Sequence, residues 1–165
     1  MAFDSKLQRQ IMGCFATGVT VVTTRCGDHI TGMTANAIMS LSLEPPRIVV
    51  SVDKLSHMHE SLLQGKCFAI NVLRADQEAT SRQFAMPGPK DFSGLPLTVA
   101  ETGAPVLVEA LAFVDCRLVE ILSGGDHDMF LGEPVVGEAR DGEPLIFYGG
   151  GYTQLALSSG LEGNP

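Results

Sequence analysis

The chain has no tryptophan, only two tyrosines, and few bases: 11 Lys and Arg stand against 19 Asp and Glu in 165 residues, a net charge of −8. Nonspecific nucleic-acid binding needs clustered cations to neutralise phosphates, so that class of partner is excluded. Any anionic ligand must instead be met locally, by Lys54, Arg82 or Lys90, or by backbone amides. No apolar run approaches the ~20 residues that cross a bilayer, and residues 1–10 lack the apolar segment of a secretory leader. The expectation is a cytoplasmic protein with no membrane partner. Cys14, Cys26, Cys67 and Cys116 form no C-x-x-C pair and suit a reducing compartment as free thiols. The G-x-G-x-x-G fingerprint, the phosphate-binding P-loop and the G-x-S-x-G elbow are all missing. His57 and His59, two apart on an expected helix, point to different sides and cannot share a metal ion.

What is present is a core. Apolar residues make up 45% of the chain, and its length fits one domain, placed at 1–157 with 158–165 as a frayed tail. Leu7, Ile11, Met12 and Phe15 recur at helical spacing within 4–16, with Asp4 or Ser5 as cap. Residues 19–24 are β-branched throughout and pair as a hairpin with 29–33 across Cys26-Gly27-Asp28. Further strands are expected at 47–52, 67–73, 106–108, 110–122, 129–140 and 145–148. Short helices are expected at 56–64, capped by Ser56, at 76–84, capped by Asp76, and at 152–157. Residues 86–97 read as a long surface loop. Many strands, few helices and repeated hairpin signals predict a mainly β, antiparallel barrel with short flanking α-helices.

One segment speaks to function. Between two apolar runs, Gly32 to Asp53 forms a connector rich in small and hydroxyl residues. Thr34, Ala35, Asn36, Ser40 and Ser42 let a flat ligand approach the main chain, with amides and hydroxyls available to a ring edge.

The ordered motifs of the chain resemble the flavin reductase family, the FMN-binding split-barrel enzymes that accompany two-component flavin-dependent monooxygenases. The resemblance runs through Phe15-Ala16-Thr17-Gly18-Val19-Thr20-Val21-Val22-Thr23, Gly32-Met33-Thr34-Ala35-Asn36 and Ser40-Leu41-Ser42-Leu43-Glu44-Pro45-Pro46. It continues through Phe68-Ala69-Ile70-Asn71-Val72-Leu73, Arg82-Gln83-Phe84-Ala85 and Lys90-Asp91-Phe92-Ser93-Gly94. It ends with Gly125-Asp126-His127 and Phe130-Leu131-Gly132-Glu133. Each motif alone is weak; the ordered set, over roughly 3–150, is specific.

The resemblance implies a six-stranded antiparallel split β-barrel of Greek-key type, usually a homodimer. It implies hydride transfer from NADH or NADPH to N5 of FMN or FAD, with reduced flavin leaving for a separate monooxygenase. The protein orients two flat rings, and the cofactors carry the redox chemistry. Position by position, Thr34, Ala35 and Asn36 would lie along the isoalloxazine edge; the competing reading is a tight turn. Ser40 and Ser42 would bond the ribityl chain or ring, or else face solvent from a strand. Asp53, Lys54 and Ser56, at a strand end opening a helix, would hold the phosphate, with plain helix capping by Ser56 as the alternative. Arg82 and Phe84 match positions near phosphate and ring, against a surface Arg and a core Phe.

His127, at an expected hairpin tip, would contact the nicotinamide as the catalytic residue, against an incidental exposed His. Tyr152 would stack on a ring or edge the core. The chain departs from the family at Tyr148-Gly149-Gly150-Gly151-Tyr152, where a basic residue is usual. Two other readings share the fold class: a pyridoxamine-phosphate-oxidase-like FMN oxidase, and a flavin- or haem-binding module without turnover.

Overall fold

The structure, a computed structural model, describes residues 3–156. Helix α1 (Ser5–Gly13) is capped by Asp4, whose Oδ1 accepts the Leu7 amide at 2.8 Å. Strands β1 (Thr17–Gly18), β2 (Thr20–Cys26), β3 (His29–Ala35), β4 (Ile38–Leu43) and β5 (Pro46–Asp53) follow. Helix α2 (His57–Gly65), β6 (Cys67–Val72) and α3 (Glu78–Ala85) come next. The rest is β: β7 (Leu97–Val99), β8 (Pro105–Leu107), β9 (Ala112–Gly124), β10 (His127–Ala139), β11 (Ile146–Tyr148) and β12 (Gly151–Thr153). The expected tail at 158–165 lies outside the described residues.

The main sheet has seven strands in the order β3-β2-β6-β9-β10-β5-β4, every pair antiparallel. Its two edge strands, β3 and β4, are joined only by Asn36-Ala37. The sheet must therefore coil on its own right-handed twist until its edges meet at that corner. Those edges do not hydrogen-bond to each other, so the sheet stays open, with seven strands where six in a barrel were expected. The extra strand is β4, which lies inside the segment read from sequence as a small, hydroxyl-rich connector.

β2 explains why its sequence is β-branched at every position from Thr20 to Thr24: it is buried on both faces. Val22 points into a core with Val50, Val52, Met58, Leu62, Phe68, Ile70, Cys116 and Phe130. Val21 points the other way, into a second core with Val19, Leu73, Phe84, Leu107, Ala110 and Leu145. Helix α2 plugs the first core with Met58 and Leu62, and α3 covers the second with Phe84.

The remaining differences from expectation are local. Segment 152–157 opens as β12, not as a helix, because Tyr152 pairs with Phe147 across the Gly149-Gly150 turn. Helix α3 begins after Gln77, with no side-chain cap, so Asp76 does not cap it. Gly65 is needed for closeness and not for turn geometry: a Cβ there would sit 2.2 Å from the Arg25 carbonyl. The left-handed cap is the next residue, Lys66, at φ +58°. The β9–β10 turn is shorter than expected, just Gly125-Asp126, which makes His127 the first residue of β10.

Candidate functional site

The end of β3 is where the site is built. Gly32 has no side chain because α3 packs flat against it: a Cβ would meet the Phe84 ring at 3.1 Å and the Val22 carbonyl at 3.0 Å. Two residues on, Thr34 donates its hydroxyl to the Ser81 carbonyl of α3 at 2.5 Å. Thr34, Ala35 and Asn36 then line a cavity of about 240 Å³ together with Val19, Ala85, Phe147 and Tyr152. Asn36 does not close a turn on itself; its Nδ2 donates to Thr17 Oγ1 at 3.2 Å. Tyr152 is fixed from three sides. Its hydroxyl meets Ser81 Oγ at 2.8 Å, Phe147 packs edge-on with ring centres 5.4 Å apart, and the Arg82 guanidinium lies 4.8 Å over the ring.

An adjoining cavity of about 410 Å³ shares Thr34 and Ala85 with the first and runs along α3 to the start of α2. Ser56, His57, Phe84, Met86, Gly88 and Lys90 line it. Ser56 caps α2, accepting the His59 amide at 3.2 Å and donating to the Asp53 carbonyl at 2.8 Å. Ser56, His57 and Met58 place the start of that helix on the cavity lining. Lys90 lines it from the 86–96 loop, its ammonium donating to the Met86 carbonyl, and partial burial lowers its pKa.

The remaining sequence candidates, Phe84 apart, line neither cavity. Phe84 is fully buried, edge-on to Phe92, and forms floor, not lid. Arg82 pairs with Glu78 one turn back, at 2.7 Å. Ser40 and Ser42 lie on edge strand β4 and line neither cavity.

Asp53, Lys54 and His127 form their own group. Asp53 faces His127 across the β5–β10 ladder. The Lys54 ammonium is held by Ser123 Oγ at 2.9 Å, the Gly125 carbonyl at 2.7 Å and Asp128 Oδ1 at 3.3 Å. His127 bonds Asp126 through Nδ1 at 2.8 Å, and that hydrogen bond is the main cause of the lowered Asp126 pKa. A separate groove of about 480 Å³ beside α3 contains Arg74 and Arg140, but Asp76 and Glu138 already pair with them. Among the described residues, no three His, Cys, Asp or Glu side chains gather to hold a metal ion.

The sequence pattern described as a flavin reductase like domain matches residues 12–156. The chain belongs to this family. FMN reductase (NADH) SmoA of Agrobacterium fabrum is 38% identical over 153 residues, covering 93% of this chain and 87% of SmoA. HsaB of Rhodococcus jostii, the reductase subunit of a flavin-dependent monooxygenase, is 35% identical over 155 residues, covering 93% of this chain and 80% of HsaB. The solved structure of the NADH:FAD oxidoreductase SgcE6 of Streptomyces globisporus, in complex with NAD and FAD fragments, is similar at a TM-score of 0.89 and 36% identity. It covers 96% of this chain and 99% of that one.

Within this flavin reductase fold, sequence reasoning passed over two side chains that the structure makes prominent. Lys90, by contrast, was named from sequence among the few cations able to meet an anionic ligand, and it lines the second cavity. His59 was weighed only as a metal ligand, and Asp128 not at all. His59 Nε2 lies 2.8 Å from Asp128 Oδ2, both largely buried. The one available signal was Asp128 itself, a charge at the start of a strand leading into the core residue Phe130.

Proposed function

We propose that the chain is an NADH:flavin oxidoreductase that supplies reduced flavin to a separate monooxygenase. The observation that carries this is the pair of adjoining cavities joined at Thr34 and Ala85, with ring-edge donors at one end and an anion-receptive helix start with Lys90 at the other. That arrangement matches FMN, or the FMN half of FAD: flat and polar-edged at one end, anionic at the other. Bound flavin supplies the hydride acceptor, and NADH the donor.

In this reading the chain's residues hold and orient. Thr34, Ala35 and Asn36 face the ring edge, with Tyr152 lining the same cavity. Ser56 and the first amides of α2, with Lys90 across the cavity, hold the phosphate. His127, on the hairpin beside Asp53, meets the nicotinamide. It has no proton to abstract, since hydride moves without one; its contribution is placement. NADH is preferred as donor because the names of SmoA and SgcE6 both specify it, and HsaB's name supports a monooxygenase partner.

The curled main sheet is read as the family's split barrel, with β4 added at its edge, and 1–157 as one domain. Helix α1, Phe15 just beyond it, and β4 leave Ile11, Met12, Phe15, Met39, Leu41 and Leu43 exposed, apolar surface that fits a homodimer. A reducing, NADH-containing cytoplasm is the matching compartment, and the described residues include no helix long and apolar enough to cross a membrane.

The test is NADH oxidation with FMN, FAD or riboflavin supplied. The expected result is a rate at least ~100-fold above the flavin-only background. Tight flavin binding without acceleration would instead support the binding-only module.

A further inference from the structure

The β9–β10 turn has little of its own to hold it in place. Gly125, at φ +89°, has no heavy atom within 4 Å of where a Cβ would be, and the Asp126 side chain is 93% exposed. Yet this turn carries His127. What fixes it comes from the opposite face of β10 and from the β5–α2 junction.

Successive strand residues point to opposite faces, so Asp128 shares its face with Phe130 and not with His127. The Asp128 side chain is 14% exposed and accepts from both sides. Since a carboxylate offers only lone pairs, His59 Nε2 must be the donor to Oδ2, at 2.8 Å. Oδ1 takes the Lys54 ammonium at 3.3 Å. His59 is itself seated on the core, its ring edge-on to the buried Phe130 at 5.2 Å.

Lys54 completes the link. Its ammonium reaches the Gly125 carbonyl and Ser123 Oγ, and its amide donates to the Asp126 carbonyl at 3.1 Å. The turn is thereby bonded on its carbonyl side to a residue two positions before the α2 cap. The Lys54 cation, expected from sequence at the flavin phosphate, points at the hairpin.

We propose that His59, Asp128 and Lys54 form a positioning clamp that fixes the β9–β10 turn, and with it His127, against the start of α2. None of the three touches substrate; they act through His127 and set the distance between the nicotinamide-binding turn and the helix start that holds the phosphate. The inference rests on the reductase reading for the role of His127, but the clamp itself is a statement about the turn.

The experiment compares wild type with Asp128→Asn, His59→Leu and His59→Gln, the last keeping an N–H donor within reach of Asp128. Steady-state kinetics in NADH at saturating flavin, flavin affinity by fluorescence quenching, and amide hydrogen exchange over 124–128 are read on each. The clamp predicts a KM for NADH raised about tenfold in Asp128→Asn and His59→Leu, with kcat and flavin Kd each within about twofold. Exchange at the turn rises about tenfold in the same two variants, and His59→Gln stays near wild type in both readouts. Unchanged exchange at the turn overturns the clamp, as does flavin affinity falling as far as NADH affinity. Wild type that oxidises no NADH removes the reductase reading, while the exchange data still decide the clamp.

Discussion

The hydroxyl of Tyr152 and Oγ of Ser81 lie 2.8 Å apart, joining the last described strand to the middle of α3. Ser81 is fully buried, so this bond satisfies a group that water cannot reach. Tyr152→Phe should lower stability by about 1–2 kcal/mol, read as a shift in thermal midpoint, while leaving the ring wall of the cavity in place. Tyr152→Ala also removes that wall and should weaken flavin binding about tenfold by fluorescence titration. Equal flavin affinity in the Phe and Ala variants would show that the ring does not face the cofactor.

Lys90 separates the two ends of the proposed ligand. Lys90→Met should weaken FMN about tenfold while leaving riboflavin, which lacks the phosphate, within about twofold. The same loss for both flavins would place Lys90 elsewhere than the phosphate.

The Asp128 carboxylate sits below the usual aspartate range, chiefly through its hydrogen bond from His59 and also through Lys54. A folded-state pKa lowered below the unfolded value of about 3.9 stabilises the fold fully above that value and is lost as pH falls through the lowered one. Asp128→Asn should therefore be less stable than wild type near neutral pH, with the gap closing as pH falls below 4. Thermal midpoints of both proteins between about pH 7 and pH 3 measure it. A gap that stays constant would mean that the carboxylate's charge contributes nothing there.

Gly132 lies at a break in the β9–β10 register, directly over the first core. A Cβ at this position would sit 2.4 Å from Phe68 Cζ and 2.7 Å from Cys116 Cβ. Both neighbours are fully buried and have nowhere to move. Gly132→Ala should cost about 1–3 kcal/mol in urea unfolding, with an unchanged m-value. The same packing holds the Cys116 thiol in an apolar setting that pushes its pKa up to about 12.

How far the sequence reached depends on whether the deciding contacts were local. β2 was legible because burial on both faces demands β-branched residues at every position, and the α1 and α2 caps because Asp4 and Ser56 bond amides three residues on. β4 was missed although Met39-Ser40-Leu41-Ser42-Leu43 alternates as a strand does. Only Ile38 of its apolar side chains packs against the core, while Met39, Leu41 and Leu43 are exposed, so small polar neighbours and the Pro45-Pro46 stop dominated the reading. β12 is three residues long, too short to carry a period.

At the site, Thr34, Ala35 and Asn36 came from one contiguous motif and do share a cavity wall. That Tyr152 closes the same cavity, or that Lys54 turns toward Gly125, depends on pairings 71 or more positions apart, which no local pattern encodes.

The central claim is that the protein reduces flavin catalytically and releases it. Anaerobic mixing of a trace of the protein with excess NADH and excess free FMN, followed by the flavin's visible absorbance, tests this without oxygen or a partner. The account predicts bleaching of many equivalents of flavin per protein chain, at a rate proportional to protein concentration. Bleaching that stops at one equivalent per chain, or that matches the protein-free control, would contradict it.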